Sequence, residues 1–185
     1  MKKRLSESME IILTIEPNLN IVTDNMLAEW GSMPYPQLSV ALVYLKYLYA
    51  VHQNHHWTAS GDPFYGDHLL FQRLYTGITE EIDSVAEKVI GLGSTGNVDL
   101  NLQTVQVLKL IQGYGTASTI PQSTDLAKKS LMAEMNFLAV MKQLCESLKE
   151  TGLMTHGLDN LLAGIEDAHE GHVYLLKQRV TKPFA

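Results

Sequence analysis

The sequence predicts an all-α fold, a bundle of four long helices with a short helix in the connection between the second and third. Three long segments lack proline and carry helical periodicity, and glycine and proline residues separate the helical segments. The two runs of β-branched residues, 11–15 and 21–23, are too isolated to build a sheet. Long helices joined by short breaks are typical of bundle proteins. The chain has 185 residues, enough for one domain with a sizeable core.

The helix boundaries follow from the breaks, because proline is tolerated in the first turn of a helix and glycine often ends one. A short helix is predicted at 23–30, capped by Thr23 or Asp24, and another at 102–112. The first long helix runs from Pro34 or Pro36 to about Thr58, and the second from Pro63, capped by Asp62, to about Ile90. The third long helix runs from Pro121–Ser123 to Gly152, and the fourth from about Thr155 to Val180. We therefore predict a bundle over residues 36–180, an N-terminal extension at 1–35 and a C-terminal tail at 181–185.

The composition predicts a cytoplasmic protein. No apolar run approaches the ~20 residues that span a bilayer, and acidic residues follow the basic start where a signal peptide needs its apolar segment. The lone Cys145 agrees, because one cysteine cannot form an intrachain disulfide. The formal charge of −6 argues against nucleic-acid binding through the whole surface. Any DNA contact would depend on Lys2, Lys3 and Arg4, so weak or no DNA binding is expected.

A histidine and carboxylate constellation begins at the end of the first long helix. His56 ends that helix, His68 lies one turn inside the second, and Gln72 follows His68 on the same face. Asp83 and Glu87 form another pair four residues apart on the second helix. Imidazole and carboxylate groups on one stripe are the donors that a site for Fe²⁺ or a similar ion requires.

The two ends of this constellation cannot share an ion within one chain, because His68 and Asp83 lie roughly 22 Å apart along the helix axis. A second copy of the helix, antiparallel across a two-fold axis, would bring His68 of one subunit beside Asp83 and Glu87 of the other. The set is symmetric about Gly77 and Ile78, and a glycine there would let two helices cross closely. The residues thus predict a homodimer with two equivalent shared metal sites.

A longer motif surrounds these residues and resembles a known signature. Its parts are, in order, His56-Trp57, a turn with Gly61 and Phe64, His68, Gln72, Asp83 with Glu87, and a glycine-rich turn with Gly91 and Gly93. The motif resembles that of the Dps family, ferritin-like proteins that protect starved or oxidatively stressed bacteria. It occupies residues 56–93, and the likeness in architecture extends over about residues 36–180. The resemblance implies a ferritin-like four-helix bundle.

The resemblance also implies a function, that of an iron-storing ferroxidase. Such proteins form a hollow shell of twelve subunits, a dodecamer, with ferroxidase sites at the two-fold interfaces. His56 and His68 would bind iron from one subunit, and Asp83 and Glu87 from its partner. Peroxide would oxidise the Fe²⁺, and ferric mineral would collect inside the shell. Trp57 would intercept stray oxidising equivalents, unless it is a core aromatic residue.

One position departs from the family pattern, because Gln72 stands where the family usually has a carboxylate. A neutral amide binds iron more weakly and supplies no charge to balance Fe³⁺. The alternative function is therefore a Dps-like shell with weak or no ferroxidase activity, acting as a metal-binding, scaffold or DNA-binding protein, and zinc is a second candidate ion. His52 is a candidate extra ligand, a structural residue or an interface residue. His55 is interpreted as a supporting or surface residue.

Two further sets of polar residues lie on the third and fourth long helices. Glu134, Glu166 and His169 suggest an intrachain di-iron site, but the first long helix has no acid and the second has no Glu-x-x-His. We therefore interpret these three as polar or interface residues. The resemblance implies an acidic pore for ions near the start of the fourth helix, and its candidate residues are Glu150 and Asp159.

Overall fold

The computed structural model describes residues 24–114 and 123–181, which form helices and no strand. After a short helix α1 at residues 24–30 come α2 (Pro36–Thr58), α3 (Phe64–Leu92), a 3₁₀ turn (Thr95–Val98), α4 (Leu100–Tyr114), α5 (Ser123–Glu150) and α6 (His156–Val180). The predicted fold class is confirmed: four long helices form the bundle, and the short α4 lies in the connection between the second and third of them.

Helix α2 is the centre of the bundle, because it packs against α3, α4 and α5. Pro36 begins it, as its fixed φ allows in a first turn. The sequence of α2 is apolar on nearly every side, so it is buried almost all round rather than along one stripe. Leu38, Leu42 and Leu45 are all in the core. Helices α3 and α6 complete the bundle by pairing with α2 and α5, respectively.

The turn between α3 and α4 is tied to the start of α2 by a buried amide. The Asn97 side chain donates to the carbonyl oxygen of Pro34 at 2.8 Å and to Ser39 Oγ at 3.0 Å. The 3₁₀ turn is itself closed by Ser94, whose backbone N–H donates to Asn97 Oδ1. These bonds fix the place where the chain leaves α3 and crosses towards α4.

The segment before the bundle contributes to the core in its described part. Trp30, in α1, is 1% exposed and belongs to the same apolar cluster as α2. The predicted short helix is present at 24–30, while its candidate cap Thr23, the basic residues Lys2, Lys3 and Arg4, and the β-branched runs lie outside the described residues. So do Pro121 and residues 182–185.

None of the helices in the described ranges is long and apolar enough to cross a membrane.

The start of α3 differs from the prediction. Asp62 does not cap the helix: the cap position is Pro63, and no side chain accepts a bond there. Instead, the Phe64 N–H donates to the Gly61 carbonyl oxygen at 3.0 Å, in a turn where Gly61 has φ 82°. A positive φ of this size favours glycine, so the turn geometry sets the helix start.

Candidate metal centres

The corner between α2 and α3 brings His56 and His68 together. Their rings are stacked, with centroids 3.7 Å apart and planes at 24°. His56 Nδ1 lies 2.8 Å from the carbonyl oxygen of His68, and His68 Nδ1 lies 3.0 Å from the carbonyl oxygen of His56. A carbonyl oxygen only accepts, so each Nδ1 carries the proton. With Nδ1 engaged by a carbonyl oxygen, Nε2 is the nitrogen of each ring that is left for a metal ion.

Aromatic rings hold this histidine pair in place. Tyr75 packs against His56 in a T-shaped arrangement, with ring centroids 5.4 Å apart, and the Phe64 ring packs against His68 with centroids 5.1 Å apart. Trp57, the next residue after His56, is 67% exposed, so it is not a core aromatic residue of this chain. Contacts within the chain therefore support the pair, while Trp57 faces outwards.

The other predicted ligands lie on the open surface of α3. Gln72, Asp83 and Glu87 are exposed, and their side chains make no hydrogen bond or ion pair within the described part of the chain. Gly77 lies between the two groups, and a Cβ added there would meet no atom within 4 Å. The single chain thus brings His56 and His68 together and leaves Asp83 and Glu87 apart from them. The shared site stays a prediction.

A second cluster, not predicted from the sequence, lies inside the bundle. We call it the core cluster; its members come from all four long helices and are His52 (α2), Glu81 (α3), Ser130 and Glu134 (α5), and His169 and His172 (α6). Its centre is Glu134, which is fully buried and whose two carboxylate oxygens contact three imidazoles. His52 Nε2 lies 2.8 Å and His172 Nδ1 3.1 Å from Oε1, and His169 Nδ1 bonds Oε2.

The hydrogen bonds of the core cluster determine its protonation. His169 bonds a carboxylate at each ring nitrogen, with Glu134 at Nδ1 and with Glu81 at Nε2, the latter 2.9 Å away. Since ionised carboxylates only accept, His169 donates from both nitrogens and is an imidazolium. Burial acts to lower the pKa of His169, but its two carboxylate partners outweigh burial and raise the pKa to about 9.

Electrostatics inside the cluster keep the other groups in defined states. Burial opposes ionisation of Glu134, yet hydrogen bonds from the three histidines hold its pKa well below the usual range. Burial lowers the pKa of His52 in spite of Glu134, so His52 is neutral. Its Nδ1 lies 3.1 Å from Ser130 Oγ, which is also 2.8 Å from His55 Nδ1. One chain of hydrogen bonds therefore runs from His55 through the core cluster to Glu81.

These contacts correct several interpretations made from the sequence. Glu134 and His169 are polar residues, as one alternative had it, but they are buried within their own chain and so do not lie at an interface. Glu166 lies outside the cluster, 4.0 Å from Cys145 Sγ. His55 is buried, so it is not a surface residue. The lack of an acid on α2 argues against an intrachain site, but His52 occupies the position on α2 that faces Glu134.

The predicted pore residues lie at the turn between α5 and α6. Glu150 ends α5, and Asp159 is in the first turn of α6, where its carboxylate lies 3.4 Å from Lys149 Nζ. Both acids are exposed. Whether they line a pore depends on neighbouring subunits, so this assignment also stays a prediction.

Four long helices with a short helix in the connection between the second and third form the architecture of ferritin-like bundles. The chain superposes on the crystal structure of an archaeal Dps homologue from Halobacterium salinarum with a TM-score of 0.68 and 15% identity, covering 81% of this chain and 80% of that one. It superposes on Dps from Vibrio cholerae O1, described as a member of a broad superfamily of ferritin-like diiron-carboxylate proteins, with a TM-score of 0.62 and 18% identity, covering 87% and 92%. The ferritin-like fold is thereby confirmed.

The predicted resemblance to the Dps family is confirmed by sequence as well. A DNA protection during starvation protein of Brevibacillus brevis is 26% identical over 131 residues, which cover 70% of this chain and 83% of that protein. An uncharacterized protein of Haemophilus influenzae is 31% identical over 61 residues, covering 33% of this chain and only 38% of that protein. No family model matches the sequence.

Proposed function

We propose that this protein is a Dps-like ferroxidase and iron store. Two copies of the chain share each site: His56 and His68 of one subunit and Asp83 and Glu87 of the other bind Fe²⁺. The subunits assemble into a hollow cytoplasmic shell of twelve, in which ferric mineral collects. This activity would protect the cell against oxidative stress. The observation that carries the proposal is the His56–His68 pair, whose Nε2 atoms are both left ready for a metal.

The donor types at the shared site support iron as the substrate. Imidazole nitrogen and carboxylate oxygen suit Fe²⁺, and Asp83 and Glu87 are exposed and free of hydrogen bonds within the described residues, so they are available to a partner subunit. The backbone carbonyls of His56 and His68 each hold the other residue's ring, in the manner that orients metal-bound histidines. The Vibrio structure is described as a ferritin-like diiron-carboxylate protein, which supports iron chemistry, and the Brevibacillus relative is named for DNA protection during starvation, which supports a protective role.

The proposed reaction consumes peroxide without releasing a radical. Two Fe²⁺ ions give one electron each, and one H₂O₂ accepts both electrons with two protons, so two Fe³⁺ and two H₂O result. The role of the chain is to hold iron beside the oxidant and to supply negative charge for the ferric product. Trp57 lies next to His56 and is exposed, so it can donate an electron to any stray oxidising species.

Anaerobic loading with Fe²⁺ followed by addition of H₂O₂ tests this function. The wild-type chain is expected to oxidise Fe²⁺ well above the uncatalysed rate. His68→Gln removes a ligand and should reduce the rate by a factor on the order of 10–100, whereas His156→Gln, at an exposed histidine of α6, should not change it. Wild-type oxidation at the background rate would refute the ferroxidase proposal.

A second function is favoured by Gln72. Its neutral amide replaces a carboxylate of the family pattern, so the shell could bind metal, iron or zinc, and oxidise iron slowly or not at all. The protein would then act as a metal-binding, scaffold or DNA-binding shell. Metal bound at the shared site without accelerated oxidation would favour this alternative. A DNA mobility-shift measurement at moderate salt tests the DNA-binding role. We expect that binding to be weak, because the net charge of the chain is −6.

A further inference from the structure

The core cluster has the donor atoms of a metal site that is independent of the shared one. We propose that Glu134, His169 and His172 bind a single divalent transition-metal ion inside the bundle, with His52 as a fourth donor. Each of the first three offers one ligand atom, and these atoms all lie within 4.8 Å of one another. All four residues are buried. The site lies within one chain and needs no partner subunit.

The distances in the cluster already approximate those of a coordination shell. In a tetrahedral site with bonds of about 2.1 Å, neighbouring donor atoms lie roughly 3.4 Å apart. The two measured separations from Glu134 Oε1 are 3.1 Å to His172 Nδ1 and 2.8 Å to His52 Nε2. Small outward movements of the side chains would therefore admit one ion at the centre. The carboxylate that now receives the three imidazoles would become its anionic ligand.

Outer hydrogen bonds support the histidines as metal ligands do elsewhere. A metal-bound histidine usually donates its second N–H to a carboxylate, a carbonyl or water, which fixes the ring. His169 has Glu81 at Nε2, 2.9 Å away, and His52 has Ser130 Oγ at Nδ1, 3.1 Å away. Both partners lie on the side of the ring opposite Glu134. The cluster thus provides ligands together with the groups that orient them.

Charge also balances when a metal ion enters. Before binding, the proton on His169 Nδ1 lies between that nitrogen and Glu134 and supplies the positive charge at the centre. A divalent ion would replace this proton, which leaves for solvent, while His169 keeps the Nε2 proton facing Glu81. His52 and His172 would bind the ion through the nitrogen that faces Glu134, with the ring proton on the opposite nitrogen. Glu134 thus keeps a cationic partner when the ion is bound.

The donor set indicates the kind of ion and the number bound. Three imidazoles with one carboxylate suit Zn²⁺, Co²⁺ or Fe²⁺ rather than Mg²⁺ or Ca²⁺, which take oxygen ligands. Within the described residues the cluster has two carboxylates, and Glu81 is engaged by His169 on the outer side. One bridging acid is too few for a carboxylate-bridged pair of ions. The cluster therefore fits a mononuclear centre.

Co²⁺ titration of a chain that lacks the shared site tests the proposal. In a His68→Gln, Asp83→Asn background, we expect one Co²⁺ per chain, with the visible absorption of a low-symmetry, four-coordinate site. Adding Glu134→Gln or His172→Gln should weaken Co²⁺ binding by a factor on the order of 100 or more. His156→Gln, at an exposed position on the same helix as His172, should leave the affinity unchanged.

Circular dichroism checks that each variant is folded, and His172→Gln is the milder change because His172 is 9% exposed, whereas Glu134 is fully buried. If the background chain retains no Co²⁺, the proposal is wrong and the core cluster is a structural network alone. The proposal is also wrong if the folded Glu134→Gln and His172→Gln chains bind Co²⁺ as tightly as the background chain does. Because the background lacks the shared site, neither outcome depends on ferroxidase activity.

Discussion

Arg179 binds Asp67 through a forked ion pair that joins the last turn of α6 to the first turn of α3. Arg179 Nη2 lies 2.9 Å from Asp67 Oδ2, and Nε bonds the other carboxylate oxygen. Asp67 is 1% exposed and immediately precedes His68. The ion pair therefore holds the helix turn that carries a ligand of the proposed shared site.

Removing the guanidinium should destabilise the chain. Arg179→Met leaves the buried carboxylate of Asp67 without this cation, and the expected loss is about 2–3 kcal/mol of unfolding free energy, less than for a fully buried pair because Arg179 is partly exposed. Lys149→Met removes one partner of the exposed Lys149–Asp159 pair and should cost at most about 1 kcal/mol. Urea unfolding of both variants measures the difference. Equal urea midpoints for the two variants would show that the Arg179–Asp67 pair stabilises the chain no more than the exposed pair does.

Restoring a carboxylate at position 72 should accelerate iron oxidation. Gln72→Asp supplies an anionic oxygen on the exposed face of α3, one turn after His68, so it can balance ferric charge. We expect the initial rate with H₂O₂ to rise by a factor on the order of 10. Gln72→Asn has the same shape as aspartate but stays neutral, so it serves as the matched control. A rate increase in both variants would attribute the effect to side-chain size rather than charge.

A large side chain at position 77 should prevent assembly without harming the monomer. Gly77 is an exposed glycine within α3, and a Cβ there meets nothing within 4 Å in the same chain. Gly77→Leu should therefore gain about 1 kcal/mol of helix propensity while blocking a close crossing of two α3 helices. Light scattering should show smaller species for this variant only. Gly164→Leu, at an equally open position in α6, is the control.

If Gly77→Leu assembles as the wild type does, the two helices do not cross near residue 77. The shared site would then need another arrangement of subunits, and His68 would not face Asp83 and Glu87 of a partner. This test is independent of iron chemistry.

Cys145 should react slowly with alkylating reagents. Burial, with the nearby charge of Glu166 next in size, raises the pKa of the thiol to about 11. At pH 8 the thiolate fraction is then roughly 10⁻³, so iodoacetamide should react on the order of 100-fold more slowly than with an unperturbed cysteine. Because the raised pKa favours the neutral thiol, the rate should keep increasing up to about pH 11. Glu166→Gln removes a negative charge and should speed alkylation. An unchanged alkylation rate would show that burial alone raises the pKa of Cys145.

The helices could be predicted from the sequence because local residues determine them. Pro36 and the break after Thr58 bound α2, and Thr155 caps α6 by accepting from the Leu158 N–H at 3.1 Å. Asp62 misled the prediction because a glycine turn, not a side-chain cap, starts α3. Helix boundaries thus follow from the local residues, except where a glycine turn rather than a side-chain cap begins the helix.

The core cluster could not be predicted, because it depends on how α2 faces its neighbours. His52 and His56 are one turn apart and share a side of the helix by periodicity. In the bundle, however, His52 contacts α5 and His56 contacts α3. A helix buried on nearly all sides carries no polar stripe that shows which residue meets which neighbour. The sequence does suggest Glu134 and His169 for an intrachain site, but it offers Glu166 as their partner, where the structure has His52, Glu81 and His172.

The hydrogen-bonded chain from His55 to Glu81 has a consequence for how this sequence can change. Each member satisfies the one beside it, so replacing Glu134 alone would strand three imidazoles and the charge of His169 in the core. Single substitutions there should be strongly non-additive, with the second change partly rescuing the first. Natural variants of this bundle would therefore be expected to exchange these residues together, as a set, or keep all of them.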